Sequence, residues 1–280
     1  MNHWTGRHAV IGTMHGKEAV IGPQLSQLGL VWQVPKDFDT DRFGTFTGEV
    51  KRAGTQLEAA RLKARAAMTI TGAPIGVASE GSFGPHPAIP FLHVGHELVI
   101  LIDGEHNLEI VGTSTTTAPG VGRFAVQSAT EALEQAAAWG FPGQGVIVRE
   151  HENGGRILKD IASEEALHEA VTELLHHSSA HRVFLETDLR AHRHKTRMDE
   201  INKATDDLVK RCLSYCPECA TPGFGVVRTV PGLPCAGCLR PSDLVATEVL
   251  GCVRCGCEVT RPRSDGRTYA DPGECSSCNP

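Results

Sequence analysis

The sequence predicts a mixed α/β domain over residues 1–205, followed by a small zinc-ribbon module over residues 206–280 with two four-cysteine sites. Three observations predict it. All ten cysteines lie from Cys212 onward, and eight of them form C-x-x-C knuckles. The cysteine-free part alternates short apolar runs with segments of helical periodicity. Two of its strand pairs are joined by turn-forming residues, so the sheet is not all parallel.

The elements follow in order. Ala9 to Thr13 reads as a buried strand, and residues 16–28 as a helix that Pro23 would disturb. Leu30 to Gln33 is a second strand, and Asp37 to Glu49 a polar loop. Thr55 to Met68 is a helix, with Leu57, Ala60, Ala64 and Met68 among charged residues. Ile75 to Ala78 is a strand, followed by a loop over 80–87 because Gly81, Gly84, Pro85 and Pro87 break regular structure. Glu97 to Ile102 and Leu108 to Thr113 form a hairpin around Asp103 to Asn107. Ala125 to Trp139 is an alanine-rich helix. Gly145 to Arg149 and Arg156 to Ile161 form a second hairpin turning at Asn153-Gly154-Gly155. Ser163 caps a helix to about His177, Arg182 to Glu186 is a strand, and Thr196 to Leu213 is a helix leading into the cysteine module.

Composition sets the class. The chain is 40% hydrophobic and 21% charged, with a formal net charge of -6. No apolar run approaches a membrane span, and the first residues are not a signal peptide, which points to the cytoplasm and to no membrane partner. Thiols stay reduced there, so clustered cysteines read as metal ligands. Two residues between thiolates let one tight turn present both sulfurs to one ion. The four knuckles are Cys216/Cys219, Cys235/Cys238, Cys252/Cys255 and Cys275/Cys278. Taken in chain order they predict two structural Zn2+ sites, the first from the first two knuckles and the second from the last two. Cys212 and Cys257 read as bystanders. From Cys212 onward there are six Arg, no Lys and seven Asp/Glu, and each four-thiolate zinc site adds about two negative charges. That balance argues against a phosphate-gripping ribbon and makes nucleic acid an unfavoured partner. It suits stabilisation, homodimer formation or contact with a protein partner, for which an apolar patch around Val226, Val227, Leu233 and Leu250 is expected.

Chemistry is sought in the cysteine-free domain. Gly12 to Lys17, with Thr13, joins a strand to a helix, where backbone N–H groups and a lysine favour anions; a turn glycine beside a surface lysine is the plainer reading. Glu58 and Lys63 are five apart on one helix, so they project about 140° apart. Thr55-x-x-Glu58 is also a capping box, which explains both residues without any function. Glu80 ends a strand before a glycine loop, a place where open α/β folds put ligands, although an exposed loop glutamate is equally consistent. Arg190 and Arg193 belong to a basic run from Asp188 to Arg197 that would hold a polyphosphate or acidic substrate, or else form a solvated loop or a basic strip facing acidic residues elsewhere.

In this order the pieces resemble the inosine-triphosphate pyrophosphatase-like superfamily of house-cleaning nucleotide hydrolases. Thr13, Gly16 and Lys17 echo its opening motif, with His15 where asparagine is expected. Thr55, Glu58, Ala60, Lys63 and Ala64 follow its second motif in register, with Ala59 in place of asparagine. Gly72, Pro74 and Ser79-Glu80-Gly81 follow its acidic loop, and Arg190 to Arg197 takes the place of its final basic turn. The whole chain also resembles a family of bacterial proteins with the same C-terminal double zinc ribbon. The superfamily resemblance implies that Glu58 and Glu80 hold Mg2+ or Mn2+ on a triphosphate, while Thr13, Lys17, Lys63, Arg190 and Arg193 bind its phosphates. The expected function is a Mg2+-dependent nucleoside-triphosphate pyrophosphatase or related phosphohydrolase acting on a nucleotide or another phosphorylated small molecule. The alternative is a non-catalytic nucleotide-sensing or adaptor protein using its ribbons for protein contact.

Overall fold

A computed structural model describes residues 2–44, 50, 52, 54–86 and 89–280. The chain divides into two compact units, Asn2–Leu208 and Val209–Pro280. Among the described residues no helix is long and apolar enough to cross a membrane.

The first unit contains two sheets. One has the order β2-β1-β3-β4-β5. Strands β1 (His8–Ile11), β2 (Val31–Gln33) and β3 (Ile75–His86) are parallel. Strands β4 (Ile89–Asp103) and β5 (Leu108–Thr116) continue the sheet antiparallel. The predicted hairpin at Asp103 is therefore present, and longer than its apolar core. The second sheet, of order β6-β9-β7-β8, is wholly antiparallel. Its strands are β6 (Arg123–Val126), β7 (Val146–Arg149), β8 (Ile157–Leu158) and β9 (Val183–Thr187).

Helix α1 (Glu18–Gln27) runs through Pro23 without ending. An interior proline costs about 3 kcal/mol. Burial of Ile21, Leu25 and Leu28, at roughly 1.5–3 kcal/mol each, outweighs it. Helix α2 (Gln56–Thr71) lays Ala60 and Ala64 on the face of the first sheet that carries Ala78, Leu98, Ile100 and Ile102. Helices α3 (Ala129–Ala138) and α4 (Glu164–His177) cover the second sheet through a core that includes Val126, Val148, Leu167, Leu174 and Leu185. Helix α5 (Lys195–Cys212) begins in this unit.

Two expectations are corrected. The predicted loop over 80–87 is strand as far as His86, paired with β4 throughout; Pro87 lies outside the described residues. Past Val77, among the described residues, β4 alone borders β3, since β1 ends at Ile11, and a one-sided strand tolerates glycine and proline. The helix expected from Ala125 starts instead at Ala129. Ser128 caps it by accepting from the Glu131 N–H at 3.2 Å, and the residues before it join β9. The polar loop from Asp37 contains a 3-10 turn at Asp41–Phe43, and its last five residues, 45–49, lie outside the described residues.

The second unit holds an antiparallel sheet, β10 (Gly225–Pro231), β11 (Val245–Gly251) and β12 (Glu258–Pro262), with knuckle turns between and beside its strands. Of the residues expected to form an apolar patch, Val227 is exposed and Leu233 is buried. Leu239, Val253 and Tyr269 are also exposed.

Candidate anion cleft and zinc centres

The cysteine module is built from a repeated local turn. In each knuckle the N–H four residues after the first cysteine donates to that cysteine's carbonyl: Ala220 to Cys216, Leu239 to Cys235, Gly256 to Cys252 and Asn279 to Cys275, at 2.8–3.0 Å. Ala220, Leu239 and Gly256 are left-handed, which turns the chain sharply after the second sulfur. The knuckles do not pair in chain order. Cys216, Cys219, Cys252 and Cys255 form one cluster; Cys235, Cys238, Cys275 and Cys278 form the other. The predicted pairing of neighbouring knuckles is thus replaced by an interleaved one. The sulfur–sulfur spacing fits zinc. Cys216 and Cys255 Sγ are 3.6 Å apart, as are Cys219 and Cys252; Cys235–Cys278 and Cys238–Cys275 are 3.8 Å apart. A tetrahedron with Zn–S bonds of about 2.3 Å has edges of about 3.8 Å. Cys212 and Cys257 belong to neither cluster. Cys212 is fully buried, and burial pushes its thiol pKa up.

In the first unit a cleft open to solvent lies beyond the carboxyl end of β1. Its walls come from the turn into α1, the 40–44 segment, α2, the projecting part of β3, and the segment after β9. Strand alternation explains its floor. Glu80 shares the β3 face of Ala78 and so meets α2, where Lys63 Nζ donates to Glu80 Oε1 at 2.6 Å. Both residues are buried. Arg52 approaches the other Glu80 oxygen at 3.8 Å. The opposite face of the sheet carries Glu97, opposite Gly81 in the β3–β4 register. Arg197, near the start of α5, donates from Nε to Glu97 Oε1 at 2.6 Å and from Nη1 to the Leu189 carbonyl. Arg197 and Glu97 are 1% and 2% exposed. Gly81 makes that pair feasible: a Cβ there would stand 2.5 Å from Glu97 Oε1 and 2.7 Å from Arg197 Nη2.

The sequence-predicted residues separate into two groups. Lys17, Lys63, Glu80 and Arg190 all line the cleft. Arg190 is held by Asp188 at 2.7 Å and Asp160 at 2.9 Å. Thr13 lies in the wall of a different, shallower pocket with Phe38 and Asp39. Arg193 is drawn toward Asp160, at 3.7 Å. Glu58 is exposed and occupied by its capping box: its Oε2 accepts from the Thr55 N–H at 2.7 Å, and its own N–H donates to Thr55 Oγ1 at 3.2 Å. Hydrogen bonding by the Thr55 backbone N–H, and then by the Thr55 side chain, holds its carboxyl below the ordinary range. Glu58 is not among the residues that line the cleft, whereas Glu80 is. Sequence reasoning missed Arg52 and Glu97, whose partners Glu80 and Arg197 lie far along the chain, and named Asp188 and Arg197 only as the ends of the basic run.

Among the described residues, three or more His, Cys, Asp or Glu ligands converge at the cysteine clusters and at His3, Asp103 and His106. None of these groups is in the cleft. Glu80 is already paired with two cations, so the cleft residues do not fit a protein-held Mg2+ or Mn2+. The His3–Asp103–His106 group does not fit a cation either. Arg7 donates from Nη2 to Asp103 Oδ1 at 2.7 Å and fills the role of its positive charge.

Lys17 differs from every other cation named above. It is 8% exposed, it precedes the first residue of α1, and it lines the cleft, yet among the described residues no carboxylate lies within ion-pair distance of it. Burial, reinforced by Arg197 and Lys63, pushes its pKa down to about 8. His15, two residues earlier, also lines the cleft and stacks on His192 with ring centroids 5.0 Å apart. Burial lowers the His15 pKa, against the pull of Asp41.

No curated protein and no solved structure matches this chain. A family model described as a domain of unknown function (DUF6671) matches residues 63–280, well over half of the chain and including Glu80, Arg197 and all eight knuckle cysteines, so the chain belongs to that family.

Proposed function

We propose that the first unit binds a phosphate-bearing small molecule, a nucleotide in the first instance, in the cleft beyond β1. The observation that carries this reading is Lys17, a buried cation that among the described residues has no carboxylate within ion-pair distance, in the wall of a cleft also lined by Lys63, Arg52, Arg190 and Arg197. Leaving a charge buried and unpaired is costly, and an anionic ligand relieves that cost. Arginine donors fixed by carboxylates are suited to phosphate oxygens, because their remaining N–H groups are already oriented.

Between hydrolysis of the bound nucleotide and a nucleotide-sensing or adaptor role, the geometry favours the second. Glu58 serves its helix and Glu80 is neutralised by Lys63, so neither carboxylate is free to hold a metal ion. The zinc module, its sites closed by four thiolates each, is proposed as the structural part that carries the protein contact.

The test is calorimetric titration of the zinc-loaded chain with inorganic pyrophosphate and a panel of nucleoside triphosphates, with and without Mg2+, alongside phosphate-release assays. Binding that weakens at least tenfold in Lys17→Met and is unchanged in Glu58→Ala supports the reading. No binding of any phosphate compound retires it. Mg2+-dependent release abolished by Glu80→Gln would restore the hydrolase.

A further inference from the structure

We propose that Lys17 is a nucleophilic amine that forms an imine with a carbonyl compound bearing an anionic group. The inference goes beyond phosphate binding, because it assigns covalent chemistry to one atom of the cleft. Three features of the geometry carry it. Lys17 is buried and is one of the residues that line the wall of an open cleft. Among the described residues it has no carboxylate partner to hold it as an ammonium ion. Among the described residues the strongest charges acting on it are two cations, Arg197 and Lys63, together with their own partners Glu97 and Glu80. The carboxylates are engaged at 2.6 Å by Arg197 and Lys63, which leaves Lys17 in a desolvated and net unfavourable setting for positive charge. Lysines are activated as nucleophiles in this way, by burial and by a neighbouring cation.

The step balances without an oxidant or reductant. The Nζ lone pair attacks the carbonyl carbon and forms a C–N bond, while the C=O π pair moves to oxygen. One N–H proton passes to that oxygen to give the carbinolamine. The second N–H hydrogen leaves with the oxygen as one molecule of water, and C=N forms. His15 lines the same cleft and burial lowers its pKa, so as a neutral imidazole it would carry the proton between nitrogen and oxygen. The anionic group of the ligand would lie against Arg52 and Arg190, whose guanidinium groups line the same space. That requirement selects anionic aldehydes and ketones over neutral ones.

The experiment uses the full zinc-loaded chain. It is incubated with pyridoxal 5′-phosphate, and separately with glyoxylate, at pH 6.5 to 10; the products are reduced with cyanoborohydride and mapped by peptide mass spectrometry. The exposed Lys36 and Lys195 serve as internal references. Lys17 is expected to label at least tenfold faster than either reference, with a rate that rises through about pH 8. Lys17→Arg is expected to lose the imine absorbance. Labelling of Lys17 at or below the rate of Lys36 and Lys195 overturns the proposal, whether or not the arginine variant folds. Pyrophosphate titration of the unmodified chain reads the phosphate-binding proposal separately, since it needs no carbonyl group. Labelling by pyridoxal 5′-phosphate but not by glyoxylate assigns the anion requirement to phosphate; labelling by both assigns it to negative charge in general.

Discussion

At the scale of single residues, Lys17 is a buried cation that, among the described residues, stands apart from the ion pairs around it. Lys17 has a folded pKa of about 8 against an ordinary value of 10.5, so between those values the unfolded chain binds more protons than the folded one. Stability of the first unit should therefore rise with pH across that window, and at pH 7 the lysine costs about 3 kcal/mol. Lys17→Met is expected to raise the denaturation midpoint at pH 7, with the gain shrinking toward pH 10; urea titrations at the two pH values check it. Thr55→Ala should cost about 1 kcal/mol through loss of the helix cap and leave ligand binding unchanged. The capping reading of Glu58 was legible because both halves of the box are three residues apart. Glu97 was not, since a lone acid inside an apolar run gives no sign of the arginine one hundred residues later that neutralises it.

Elements position these residues through register more than through loops. Strand β3 outlasts β1, and its continuation carries Glu80 to one face and, through Gly81, makes room for Glu97 and Arg197 on the other. The helices, both hairpins and their polar turns could be read locally, from periodicity, from the Ser163 cap and from Asn153-Gly154-Gly155. The long projecting strand could not, because Gly81, Gly84 and Pro85 are loop formers by local preference and only pairing with β4 makes them strand. Helix α5 depends on a similar close approach. At Gly112 on β5 a Cβ would overlap the Ala204 carbonyl and the Leu208 nitrogen. Gly112→Ala should push α5 from the sheet, destabilise the first unit by roughly 1–3 kcal/mol and weaken ligand binding by displacing Arg197. Thermal denaturation and pyrophosphate titration of the variant test both effects.

Across the whole molecule the chemistry is segregated: buried lysines and arginines serve the first unit, and thiolates the second. The presence of two metal sites was legible from knuckle spacing, whereas their partnership was not, because either pairing satisfies the same C-x-x-C turns. In the observed arrangement β10 runs from a knuckle of one site to a knuckle of the other, and β11 and β12 do the same. Replacing Cys216 should thus lower occupancy at both sites, as should replacing Cys278. Zinc counting by native mass spectrometry is expected to find chains with two ions or none, and chelator-induced melting of the module should be a single transition. Chains holding one zinc stably would contradict this. The same interleaving makes the module indivisible as hereditary material. The shortest stretch holding all of one site, 216–255, carries half of the other, and so does 235–278. No cut, exchange or duplication within this region yields a piece with one complete site and nothing left over, so the two sites can be transmitted between genes only as a pair.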